Sequence, residues 1–187
     1  PMIQARIGAE LAAMRLSDGP TAVLGARSGL SAFLRANDGV EVHAVEEHAP
    51  SIEVLRARTS GIAKAKEFLR TASVDNLACT GLRKAVFKNV VLLDSIERFW
   101  NPVGLLREAR RLLAADGLLV VRSRARQSRF ESRGDSLHLF AAHELLQIVR
   151  HVGGFTPLAP PALDGIGRWQ VLARSSGSAA HQLHFGA

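Results

Sequence analysis

The stretch Val90 to Val121, VVLLDSIERFWNPVGLLREARRLLAADGLLVV, contains a strand, a helix and a second strand. Val90-Val91-Leu92-Leu93 is a near-continuous apolar run, the pattern of a strand covered on both faces of a parallel sheet, and the strand is read from Val86 to Leu93. Asn101 followed by Pro102 predicts a helix start, because the Asn side chain accepts from a free N–H and Pro lacks only an N–H that has no partner there. Leu105, Leu106, Ala109, Leu112 and Leu113 then recur on one helix face, and Asp116-Gly117 predicts a turn into a strand over Leu118 to Val121. Two apolar strands joined by an amphipathic helix form the crossover unit of a parallel sheet.

The same alternation extends toward the N-terminus. Ile3, Ile7, Leu11 and Met14 are spaced as an amphipathic helix, stopped by Ser17, Asp18, Gly19 and Pro20. Thr21 to Leu24 is a short strand, Gly25-Ala26-Arg27-Ser28-Gly29 a loop, and Leu30, Phe33 and Leu34 mark a helix. Val40 to Val45 is a second strand ending at Glu46 and Glu47, followed by a helix entered at Pro50 with Ile52, Leu55 and Ile62 inward. Phe68 to Thr71 reads as a third strand, with a turn at Asp75-Asn76.

Toward the C-terminus, Leu145, Ile148, Val149 and Val152 form another amphipathic helix closed by Gly153-Gly154-Phe155. Two last strands are read near Phe155 to Leu158 and over Trp169 to Ala173, and Pro157, Pro160 and Pro161 confine the former to an edge. The expected fold is α/β: a Rossmann-like, doubly wound, mostly parallel sheet with an antiparallel C-terminal edge. It is expected as one domain over residues 2–174, with a tail over 175–187 in which Leu183 and Phe185 can dock on a surface. Such sheets bind ligands beyond the carboxyl ends of their strands.

Composition narrows the class. Of 187 residues, 47% are hydrophobic and 22% charged, as in an ordinary globular protein. The net charge is +7, carried mostly by Arg, which suits phosphate or carboxylate binding or reflects a GC-rich coding sequence. The single cysteine, Cys79, excludes an internal disulfide, suggests a cytoplasmic protein, and reads as a small buried hydrophobe. Arg6 and Glu10 interrupt the first apolar stretch, and no apolar run has the length of a membrane span, so a soluble protein with no membrane partner is expected. Pro1 ahead of Met2 reads as a protease-cleavage scar.

Five segments in this order resemble the class I S-adenosylmethionine-dependent methyltransferases of the small-molecule type. Thr21-Ala-Val-Leu-Gly-Ala-Arg-Ser-Gly29 is similar to the family's first motif, a strand ending in an acid and then G-x-G-x-G, with Gly25 and Gly29 matching. Val42-His-Ala-Val-Glu46 resembles the second strand, whose terminal acid holds the cofactor ribose. Val90 to Arg98 resembles the fourth strand and the run closing in Glu-His, with Arg98 in place of the histidine. Asn101-Pro102 through Val121 resembles the next helix, turn and strand, and Leu137-His-Leu-Phe140 with His143-Glu-Leu145 and Gly154-Phe155 the late helix. The family's first-strand acid is Val23 here, its middle loop glycine is Arg27, and Ser73 is the nearest counterpart of its third-strand acid.

The resemblance implies S-adenosylmethionine as cofactor, with Gly25, Arg27, Gly29, Glu46, Ser73 and Asp94 as its contacts. It places Asp94 and Ser95 facing the methyl group, and His138 or His143 could serve as base. An arginine at position 27 costs roughly 1 to 2 kcal/mol in left-handed geometry; it would attract the cofactor carboxylate and repel the sulfonium. Two functions stay open: a methyltransferase acting on a small-molecule acceptor, and a methyltransferase-like binding or scaffold protein without catalysis. Arg122, Arg124, Arg126, Arg129 and Arg133 add a third possibility, contact with RNA or another anionic partner, against the reading that they are a solvated loop with Glu131 and Asp135. No metal-binding cluster, cysteine pair or P-loop points to other chemistry.

Overall fold

The computed structural model describes residues 16–27, 29–125, 137–163 and 168–176. The helix read over Ile3 to Met14, Arg126, Arg129 and Arg133, and the tail residues Leu183 and Phe185 lie outside these. The elements are β1 (Thr21–Leu24), α1 (Leu30–Asn37), β2 (Val42–Glu46), α2 (Ala49–Thr59), α3 (Ala63–Phe68), β3 (Leu69–Ser73) and β4 (Phe87–Leu93). A 3-10 turn (Ile96–Arg98) follows, then α4 (Pro102–Leu112), β5 (Leu113–Arg124), α5 (Ala142–Val152), β6 (Phe155–Pro157), β7 (Ala162–Leu163) and β8 (Arg168–Ser175).

One sheet runs in the order β3-β2-β1-β4-β5-β8-β6, with β7 paired to β8. The first five strands pair in parallel, whereas β8 runs antiparallel to β5, β6 and β7. This is the expected mixed sheet with its antiparallel C-terminal edge. Alternate residues of β5 enter different cores: Leu119 and Val121 pack with Leu105, Leu106 and Leu112 of α4 and Leu145 and Val149 of α5. Leu118 and Val120 pack with Ala32 and Ala36 of α1 and Leu55 of α2. Covering both faces explains the continuous apolar runs, each fully buried Leu or Val contributing about 1.5–3 kcal/mol.

Polar pins tie the ends of this sheet. The amide of Asn89, fully buried, accepts from Ser17 N at 2.9 Å and donates to Ser17 O at 2.8 Å, fixing the entry to β1 beneath β4. Asn101 caps α4 as expected, its Oδ1 accepting from Gly104 N at 2.9 Å. Glu108 of α4 is buried and accepts from Thr80 N (2.9 Å), Thr80 Oγ1 (2.6 Å) and Arg111 Nε (2.7 Å), anchoring the long connection between β3 and β4. Burial pushes the Glu108 carboxyl up, but the hydrogen bonds from Arg111 and Thr80 together outweigh it and hold it below the ordinary value.

Several boundaries differ from the sequence reading. Asp116-Gly117 does not separate helix from strand: α4 passes straight into β5 at Leu113, and the pair is a bulge inside β5. Phe87 pairs with Leu113 and Asn89 with Leu118, so the intervening residues loop out, with Asp116 at φ +58°. A Cβ at Gly117 would stand 3.0 Å from Ala114 O and 3.1 Å from Phe87 O, a crowding that glycine avoids. The second strand starts at Val42 rather than Val40, the third covers Leu69–Ser73, the fourth starts at Phe87, and β6 stops at Pro157. Helix α3 is too short for periodicity to show, with only Ala65 buried, and Ile62 precedes it rather than belonging to α2. Cys79 is exposed rather than buried; the anchoring of neighbouring Thr80 by Glu108 fixes the loop that presents it.

Candidate functional site

The strand order reverses between β1 and β4, the kind of switch point beyond whose carboxyl ends such sheets bind ligands. Gly25, Arg27 and Glu46, with Asp94 and Ser95, all follow or end strands at this edge, as the sequence reading placed them. Glu46 is 4% exposed. Its Oε2 accepts from Arg27 N at 2.8 Å, and its Oε1 accepts from Glu47 N at 3.0 Å and, weakly, from His48 N at 3.4 Å. The carboxylate is thus held rigid by backbone donors of the glycine loop and of its own strand end. Ser73 stands opposite Glu46 in the β2–β3 register and is exposed.

The loop glycines are required by the protein's own packing. Gly25 has φ +71°, and a Cβ there would stand 2.5 Å from Ser95 Cβ. Gly29 has φ +67°, and a Cβ would collide with the Leu55 side chain of α2. Between them Arg27 takes φ +48°, a left-handed conformation costing a non-glycine residue roughly 1–2 kcal/mol and secured here by its bond to Glu46. Val23, in place of the family's acid, is 5% exposed and belongs to the apolar core.

Asp94 also has positive φ, +51°. Its carboxylate meets Arg168 Nε of β8 at 3.0 Å and Arg122 Nη2 of β5 at 3.5 Å, and its main-chain O accepts from Arg98 Nε at 3.0 Å. Arg122, read from the sequence as part of an arginine cluster in and just after the fifth strand, is a buried residue of β5 within this ion cluster. Arg98 also lies over the glycine loop, its Nη2 3.6 Å from the Cβ position of Gly25. Ser95 is 2% exposed, and its hydroxyl has no hydrogen-bond partner among the described residues.

Sequence reasoning did not single out Glu97, Arg168 or Arg98's place over the loop. Glu97 is 1% exposed, and burial, reinforced by nearby Asp94, pushes its carboxyl above the ordinary value against the pull of Ser123 and Arg124. Its main-chain O accepts from Leu137 N (2.8 Å) and His138 N (2.9 Å), which brings the segment before α5 back over the strand ends. His138 lies in that segment, Nε2 donating to Phe99 O at 3.0 Å and its ring stacked on Phe140, while His143 is exposed in the first turn of α5. Among the described residues, neither histidine is hydrogen-bonded to Asp94 or Ser95.

No protein-family model matches the chain, and no curated protein does. Solved structures match along nearly its whole length. A SAM dependent methyltransferase from Aquifex aeolicus is 11% identical with a TM-score of 0.78, covering 90% of this chain and 89% of its own. The CcbJ methyltransferase from Streptomyces caelestis is 18% identical with a TM-score of 0.76, covering 92% and 89%. The fold is that of the class I S-adenosylmethionine-dependent methyltransferases. The cyclase SpnF is also similar to this chain, at 16% identity and a TM-score of 0.77 over 92% of this chain and 81% of its own. Among the described residues of this methyltransferase fold, no helix is long and apolar enough to cross a membrane.

Proposed function

We propose that the chain binds an S-adenosyl nucleoside at the carboxyl ends of β1, β2 and β4 and transfers its methyl group to a small-molecule acceptor. The observation that carries this reading is Glu46: a buried carboxylate, rigid and at the end of β2, beside the glycine loop. A carboxylate has about four acceptor sites, and one N–H on Oε2 leaves a lone pair there for a ribose hydroxyl. The donors around Gly25, Ser95 and Arg98 suit the polar end of the same ligand. The cofactor would supply the activated methyl, so the protein's part is to hold acceptor and methyl in line.

A second reading, a nucleoside-binding protein without catalysis, is favoured by one observation. The Asp94 carboxylate, expected to face the methyl group, is instead paired with two arginines of β5 and β8. Titration calorimetry with S-adenosylhomocysteine tests what the two readings share, and absence of binding would overturn both. Release of S-adenosylhomocysteine from S-adenosylmethionine over a panel of small acceptors separates them.

A further inference from the structure

The amino ends of β4 and β5, at the edge away from Gly25 and Glu46, carry an excess of cations drawn from three segments. The residues leading into β4 run beside the last turn of α4, Ala85 N donating to Arg111 O at 2.9 Å and Val86 N to Leu112 O at 3.1 Å. Arg83 and Lys84, just before these bonds, are exposed, and so is Arg107, one turn before Arg111 on the same side of α4. On another side of α4, Arg110 Nη2 donates to Ser176 O at 2.6 Å. At the end of β8 the exposed Arg174 donates from Nη1 to Asp116 O at 2.9 Å. Main-chain carbonyls thus fix the direction of both guanidinium groups and leave their charge.

Acids are scarce on this face. Glu108 is buried and paired with Arg111, which leaves Asp116 as the one exposed carboxylate of α4, β5 and residues 81–88 and 168–176. Among the described residues no ion pair neutralises Arg83, Lys84, Arg107, Arg110 or Arg174. Arg110 and Arg111 suit the carbonyl end of α4, but Arg83, Lys84 and Arg174 lie on other segments. Among the described residues, Val86 is the exposed large apolar side chain here, and no aromatic one accompanies it.

We propose that this face docks on the phosphate backbone of a double-helical nucleic acid, through Arg83, Lys84, Arg107, Arg110 and Arg174, without reading bases. A stable protein interface centres on apolar and aromatic anchors, and unpaired bases are held by stacking on aromatic rings; the face offers neither. Lipid headgroups share the phosphate, but a surface with only Val86 to enter a bilayer lacks the apolar side chains that hold a protein there. Guanidinium groups suit phosphate oxygens, and cations that surrender no internal ion pair are free to meet them. The face lies at the opposite end of the sheet from the proposed nucleoside site, so docking there is independent of methyl transfer.

Fluorescence anisotropy of the full chain with a short labelled duplex RNA, and with the DNA duplex of the same sequence, tests this. The expected slope of log affinity against log salt is roughly −3 to −5 between about 50 and 200 mM, the value for about five phosphate contacts. The side chains of Arg83, Lys84 and Arg107 make no hydrogen bond among the described residues, so changing them leaves the fold intact. Arg83→Gln, Lys84→Gln and Arg107→Gln together should weaken both duplexes at least about 10-fold and flatten the slope by about 2–3, with the melting temperature unchanged. Arg83→Lys with Arg107→Lys should stay within about 3-fold of the parent, since the charge is kept. Removing as many charges from the far edge of the sheet, by Arg58→Gln, Lys66→Gln and Arg70→Gln, should also cost less than about 3-fold. Absence of duplex binding overturns the proposal. So does an equal loss in the two triple variants, which makes binding a matter of net charge, or tighter binding of the matching single strand, of poly-glutamate or of phosphatidylserine vesicles.

Discussion

The Glu46 carboxylate and the Arg27 amide lie 2.8 Å apart, joining the end of β2 to a left-handed non-glycine residue of the glycine loop. This acid shapes the loop, and under the proposed function it would also accept from the ligand's ribose. Glu46→Ala should weaken S-adenosylhomocysteine binding by the ~1.5–3 kcal/mol of a charge-assisted hydrogen bond, measured by calorimetry. Arg27→Gly keeps the amide donor and should leave the Glu46 contact in place. An unchanged dissociation constant in Glu46→Ala would show that the carboxylate serves the loop alone.

Asp94 is the counter-charge of a cluster drawn from three parts of the fold: Arg122 on β5, Arg168 on β8 and its own place after β4. Asp94→Asn keeps the size and tolerates φ +51°, but leaves two guanidinium groups facing each other. With Arg168 partly exposed, the expected loss is about 2–3 kcal/mol in urea unfolding, below the value for a fully buried pair. Adding Arg168→Gln to the Asp94→Asn variant should recover part of it, since one like charge is removed.

Glu97 and Glu108, both buried, should respond to pH in opposite directions. Glu97 is raised, so its contribution is fully present below the ordinary value of 4.5 and is lost as pH rises through its folded value. Glu108 is lowered, so its contribution is present above 4.5 and is lost as pH falls through its folded value. Denaturant melts at pH 4 and pH 7 should show Glu97→Gln gaining stability relative to the parent at the higher pH. Glu108→Gln should lose most at the higher pH and least at the lower. A Glu97→Gln protein less stable at pH 7 than at pH 4, relative to the parent, would mean that the ionised form is the one the fold needs.

Gly29 and Leu55 form a steric pair between the loop and α2. Gly29→Ala should cost about 2–4 kcal/mol, from left-handed strain and from the collision. Leu55→Ala removes the collision, so the double variant should be more stable than the sum of the two single losses predicts, in a double-mutant cycle. Strict additivity would place the whole cost in the backbone.

What the sequence made legible is local. The apolar runs of β4 and β5, the Asn101 cap and the glycines of the first loop each express a rule that acts within a few residues, and they placed Glu46, Asp94 and Ser95 on one sheet edge. Arg168 was not legible as a partner of Asp94 because the pairing depends on β8 lying antiparallel beside β5, a contact across the length of the fold. Glu97 carries no pattern of its own, since its burial comes from the segment at Leu137 and His138 folding back over it. The connection after β3 gave little periodicity because a single acid on α4, Glu108, orders it from outside.

The position of β8 also bears on how the chain is made. This strand, Arg168–Ser175, lies late in the sequence, yet it sits between β5 and β6 and pairs with β5 from Leu118 to Arg124. A ribosome therefore releases every parallel strand before the one that closes their outer edge. Through that interval β5 presents unpaired N–H and C=O groups beside some of the most apolar side chains in the protein, a template for another copy of itself. Chains cut short before Arg168 should accumulate as aggregates rather than as smaller folded domains, and chaperone demand during synthesis should peak at this point.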